Sequence, residues 1–148
     1  MKSMRTGVAL TLLAAHVLAG ASAGAASLQV DIQNSAPIVG RIHIALFDSA
    51  EAMAANKPVA SKIVEANGDT ARVTFDGLAE GSYAFSVFAD ENANGKLDTN
   101  LVGVPVERYG FSNDAMGFMG PPRFDAAAVR LGKDDRQIAI TIKLRHYF

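Results

Sequence analysis

Apolar and polar positions alternate with a period of two at six places along this chain. Leu28, Val30 and Ile32 are interleaved with Gln29 and Asp31, and Ile42, Ile44 and Leu46 share a face opposite Arg41 and His43. Val73 and Phe75 flank Thr74, and Tyr83, Phe85 and Val87 alternate with Ala84 and Ser86. Val129 and Leu131 flank Arg130, and Ile138, Ile140, Ile142 and Leu144 alternate with Ala139, Thr141 and Lys143. Successive side chains of a strand point to opposite faces, so the pattern predicts six half-buried strands. A seventh is expected in residues 101–106, at a sheet edge because Pro105 has no N–H to donate. One short helix is expected over residues 49–55, where Asp48 and Glu51 have capping-box spacing and Asn56 and Pro58 end the run. The spacing predicts an all-β fold: a single antiparallel β-sandwich, immunoglobulin-like or transthyretin-like, with one short helix and one long loop. Within it, Leu78-x-x-Gly81-x-Tyr83 reads as a corner at which the tyrosine buries its ring and returns its hydroxyl to nearby backbone.

The N-terminus departs from this pattern. Lys2 and Arg5 precede an apolar stretch over residues 7–20, followed by small residues that include Ala21-Ser22-Ala23. That order is a secretory signal, so residues 1–26 are expected to be removed and residues 27–148 to form one domain of a periplasmic or extracellular protein. Its apolar stretch is too short to span a bilayer comfortably, and no later segment approaches a span. Losing Lys2 and Arg5 leaves twelve Lys and Arg against fifteen Asp and Glu, about −3. A mildly acidic surface lacks the basic footprint of a nucleic-acid binder. The chain has no cysteine, which excludes disulfides, thiolate metal sites and cysteine catalysis. Only His43 and His146 survive cleavage, too few for a multi-histidine zinc site, and no G-x-S-x-G elbow is present.

Two stretches could carry chemistry. Asp90-Glu91-Asn92-Ala93-Asn94-Gly95-Lys96-Leu97-Asp98 matches the opening of a calcium loop, D-x-[DN]-x-[DN]-G. Oxygens at alternate positions of a tightly wound loop can all point inward. Asp90, Asn92 and Asn94 would supply side-chain oxygens, Lys96 its carbonyl, and Asp98 a direct or water-mediated contact, while Gly95 allows the turn. The bidentate Glu of an EF-hand is replaced by Leu101, so Glu107 is the candidate to close the shell from a distance. The same residues also read as a plain hairpin loop, because Asn94-Gly95 is a turn signal by itself. The second stretch, residues 109–124, has four aromatics, two methionines, three glycines and two prolines without a period. Tyr109, Phe111, Phe118 and Phe124 are a possible ligand surface for a sugar ring or apolar ligand. The alternative is a loop folded over the sandwich, with Phe111 and Phe118 at least half buried.

Residues 81–100 (GSYAFSVFADENANGKLDTN), 102–115 (VGVPVERYGFSNDA) and 120–127 (GPPRFDAA) together resemble a bacterial exported family, Domain of Unknown Function 2141, from about Val30 to Leu144. The resemblance implies export and a compact β domain, and no activity or catalytic residue. The expected function is a non-enzymatic envelope or secreted module that binds calcium weakly through residues 90–98, its partner an envelope protein or a glycan. A metal-free structural or interaction domain is the alternative. An enzyme with a pocket walled by residues 109–124 is a third reading, which a deep pocket holding a carboxylate or histidine beside that loop would raise.

Overall fold

Alternation becomes architecture through one shared core. In the computed structural model, which describes residues 25–66 and 68–146, the strands are β1 (Ala26–Ile38), β2 (Arg41–Phe47), β3 (Ala60–Glu65), β4 (Gly68–Leu78) and β5 (Gly81–Asp90), then β6 (Tyr109–Phe111), β7 (Val129–Leu131) and β8 (Gln137–Leu144). Two short helices, α1 (Ala50–Ala54) and α2 (Phe124–Ala127), lie in the connections. The expected signal, residues 1–24 of it, falls outside the described residues.

The strands make two sheets. One has the order β4-β1-β8 and the other β3-β2-β5-β6, with β7 also paired to β5. Their facing sides bury Leu28, Val30 and Ile32 of β1 against Ile42, Ile44 and Leu46 of β2, and Phe75 of β4 against Phe85 of β5. The fold is therefore the expected all-β sandwich, with two differences. β1 and β8 run parallel, Leu28 opposite Ile138 and Ile32 opposite Ile142. A parallel pair needs a long crossover, and here nearly the whole domain intervenes. The second difference is α2, where four residues suffice because Ala127 is buried against Ala84 and Ala115.

Local signals are met by local bonds. The Tyr83 hydroxyl donates to the Ala79 carbonyl at 2.9 Å and its ring is buried, which is the expected corner. α1 starts one residue later than the capping-box reading: Ser49, not Asp48, is the cap, its hydroxyl accepting from the Ala52 N–H. β6 and β7 share one edge of β5, opposite Ser86 to Phe88 and Gly81 to Tyr83 respectively. Buried Ser112 bridges between them, accepting from the Phe85 N–H at 2.9 Å and donating to the Ala127 carbonyl. On the opposite side of the sandwich β3 and β4 are edge strands. There the Lys62 ammonium donates to the Thr74 carbonyl at 2.6 Å and lies 5.2 Å from the Phe75 ring.

Candidate functional site

β5 ends on a carboxylate that organises the loop after it. Asp90 is 1% exposed, and its Oδ1 accepts from the Asn94 N–H at 3.0 Å. Its Oδ2 accepts from the Gly95 N–H at 2.9 Å and from His43 Nε2 at 3.1 Å. Burial pushes the Asp90 carboxyl up. The Gly95 and Asn94 N–H groups and His43 outweigh that and hold it below the usual carboxylate range. The Asn92 Oδ1 accepts from the Asn94 N–H, and the Asn94 Oδ1 from the Lys96 N–H. Both amide Nδ2 groups donate to Asp98 Oδ2, at 2.6 and 2.7 Å, and so lower the Asp98 carboxyl. Gly95, at φ +82, supplies the left-handed turn.

Glu107 closes this loop from inside. It is buried, with Oε1 accepting from the Glu91 N–H and Oε2 from the Asp98 N–H, both at 3.0 Å. The structure thus brings Asp90, Asn92, Asn94 and Asp98 into one hydrogen-bonded turn, with Lys96 tied in through its N–H. Glu107 spends its oxygens on backbone donors at the loop's two ends. Among the described residues no group of three or more His, Cys, Asp or Glu side chains is arranged to hold a metal ion. The expected seventh strand is absent: residues 101–106 share one bridge, Thr99 to Pro105. Asn100 Oδ1 takes the Val102 and Val104 N–H groups and makes a turn instead.

The second feature is a groove of about 710 Å³ on the outer face of the five-stranded sheet. The cross-strand rows Ile63–His43–Phe88 and Ser61–Ala45–Ser86–Phe111 form its floor. α1, through Met53 and Ala54, stands on one side, and Lys96, Leu97 and Pro121 also line it. The His43 and Phe88 rings stack at 4.6 Å and 14°. His43 therefore joins the two features, its ring in the groove and its Nε2 on Asp90. Its position on the polar face was plain in the sequence, but the bond needs the diagonal register of β2 on β5. A histidine thus stands in a groove beside the loop of residues 109–124. Among the described residues its ring makes a single hydrogen bond, to Asp90.

Residues 109–124 place three of their four aromatics around Phe111 and leave Phe118 in solvent. Tyr109 and Phe111 meet edge to face at 6.0 Å, and Phe111 reaches the groove. Phe111 and Phe124 also pack beside buried Ala84, Ala115 and Ala127. Phe118 is 94% exposed, which corrects the expectation that it packs inward. Gly117 lies against the carbonyls of Gly120 and Pro121 and Met119 has φ +60, so this tight turn projects the two large side chains outward while Pro122 is buried. No helix among the described residues is long and apolar enough to cross a membrane.

These features define a two-sheet β-sandwich domain built around one stapled loop and one grooved face. The chain belongs to the bacterial family described as "Uncharacterized protein conserved in bacteria (DUF2141)", which matches residues 30–139. No curated protein matches it. A solved structure that aligns with it is a fimbrial assembly protein from Parabacteroides distasonis ATCC 8503, at 12% identity and a TM-score of 0.42. The alignment covers 82% of this chain and 52% of that one, so the chain spans about half the length of that protein.

Proposed function

We propose that this protein is an exported, non-enzymatic module of the bacterial envelope or the secreted space, and that it binds calcium weakly through residues 90–98. Export rests on the basic, apolar and small-residue order of residues 1–26. The metal reading rests on one observation: the carboxylates of Asp90 and Asp98 and the amides of Asn92 and Asn94 belong to one tightly bonded turn. With two carboxylates and no bidentate Glu, a dissociation constant of about 10⁻⁴ to 10⁻³ M is expected, the range of extracellular modules. Ten times that concentration adds about 1.4 kcal/mol to stability, a melting shift of a few degrees.

The test is thermal melting in excess chelator, then in millimolar calcium, then in millimolar magnesium. Calcium should raise the melting temperature and magnesium should do less, because it demands a tighter octahedron and dehydrates reluctantly. Asp98→Asn should abolish the calcium shift without unburying a charge, and Asp134→Asn should leave it intact. Superimposable curves in chelator and calcium would sink the metal reading.

One observation favours a second reading, a metal-free interaction domain. Both Asp90 oxygens and Asp98 Oδ2 already accept hydrogen bonds from the loop itself, so the turn closes without an ion. Superimposable curves would select this reading.

A further inference from the structure

The groove borrows Lys96 and Leu97 from the loop, but its lining is mostly apolar. Its apolar groups stand where a ligand can reach them: Ile63 is 58% exposed, and Phe88, Phe111 and Leu97 are half-buried. Its charge is one-sided. Lys96 lines it and no Asp or Glu does, although acidic residues outnumber Lys and Arg in the chain as a whole. Lys62 and His43 line it too, but the Lys62 ammonium turns to the Thr74 carbonyl of the other sheet and the neighbour of the His43 imidazole is Asp90. Lys96, which also acts electrostatically on the Asp98 carboxylate, is the ammonium available at the groove.

We propose that this groove binds a free acyl-chain carboxylate, the chain lying across Ile63, His43 and Phe88 and the carboxylate meeting Lys96. The volume of about 710 Å³ falls within the range of small-molecule sites, which are mostly apolar with a few placed polar groups. The site is a recess, with α1 on one side and Leu97 and Pro121 in its lining, whereas a bilayer surface is met by a protruding apolar tip. A bound peptide would bring backbone N–H and C=O groups needing partners, and beyond its charged groups the groove offers little more than Ser61, Ser86 and Asn56. An acyl chain brings none. The proposal stands whether or not the loop holds calcium.

The experiment is a titration of ¹⁵N-labelled protein, in chelator and below micelle formation, with decanoate, decanol and decyltrimethylammonium in separate arms. Decanoate should shift the amides of Ile63, Ser86, Phe88 and Lys96 saturably, decanol should bind several-fold more weakly, and the cation more weakly still. Lys96→Glu should weaken decanoate about fivefold, the size of one exposed charge pair, and leave decanol unchanged. Ser61→Phe, on edge strand β3 at the groove floor, should block decanoate and decanol alike, with a melting curve to show that it folds; should it not fold, Ser86→Leu takes its place. The proposal is overturned by an absence of saturable shifts with decanoate, by shifts that map away from the groove, or by equal binding of the anion and the cation. Because chelator is present throughout, this result and the calcium melting result are independent.

Discussion

Two buried carboxylates hold the β5–β6 loop, and they do it differently. Asp90 gathers donors from the turn that follows it, whereas Glu107 reaches across to the Glu91 and Asp98 N–H groups. Glu107→Ala strands both of those donors. It should cost about 2–4 kcal/mol, and Glu107→Gln, which keeps one acceptor oxygen, roughly half as much. Urea unfolding gives the totals, and hydrogen exchange should show protection lost first at the amides of residues 91 and 98. Unchanged exchange there would mean that water replaces Glu107 without cost. A glycine comparison probes the Asp90 end of the sandwich, with Gly77 near the far end as the reference. Gly40 and Gly77 both have positive φ, but a Cβ on Gly40 would lie 2.3 Å from the Asp90 carbonyl oxygen, whereas one on Gly77 meets nothing within 4 Å. Gly77→Ala should cost about 1 kcal/mol, the backbone penalty alone. Gly40→Ala should cost about 2 kcal/mol more, because it must displace the backbone that carries Asp90.

At the scale of elements, what could be read in the sequence was what burial had written there. β1, β2 and β5 alternate because every second side chain enters the core, and their centres fall where the pattern puts them. β3 is an edge strand with four of six residues exposed, so no alternation marks it. β6 has three residues and exists because Ser86, Val87 and Phe88 offer it a free edge. Residues 101–106 misled in the other direction: apolar and proline-bearing, they fold as a turn because one asparagine side chain takes over their N–H groups. In the loop the ligand-type spacing was legible; Glu107, expected to close a metal shell, instead takes backbone N–H groups at the loop's two ends. The tie from Asp90 to His43 was not legible, because pairing register is invisible in a single chain. Lys62 shows how an edge is kept from pairing with another molecule. Its ammonium covers a carbonyl of β4 on the open side of the sandwich, a common device against edge-to-edge association. Lys62→Val should therefore leave the monomer folded and produce concentration-dependent association. Light scattering across a dilution series tests this, and a strictly monomeric variant would assign the lysine to solvation alone.

The whole molecule responds to acid through its lowered carboxylates. Asp90 is held below the usual range by the Gly95 and Asn94 N–H groups and His43 against the opposing effect of burial, and Asp98 by the Asn94 and Asn92 amides. Asp31, in the other sheet, is lowered by its bond to Arg72. An unfolded chain releases all three to an ordinary aspartate value near 4. Below that value the unfolded state takes up protons that the folded state still refuses, so stability falls as pH falls. The stabilisation is complete above the unfolded value, begins to be lost near pH 4, and is gone once the pH has passed below the folded values. In chelator the melting temperature should therefore change little between pH 7 and 5 from these groups and decline below about pH 4. The loop and the surface pair can be told apart. Asp98→Asn removes a titrating group from the loop and should flatten part of the decline, whereas Arg72→Gln returns Asp31 toward its ordinary value and should remove a different part. The bond from Arg72 to Asp31 lies on a largely exposed guanidinium, so salt should weaken its share. The share from Asp90, whose partners are mostly backbone N–H groups around a buried carboxylate, should persist in salt. If added salt instead erased the whole acid decline, the loop carboxylates would not be what holds this end of the sandwich together.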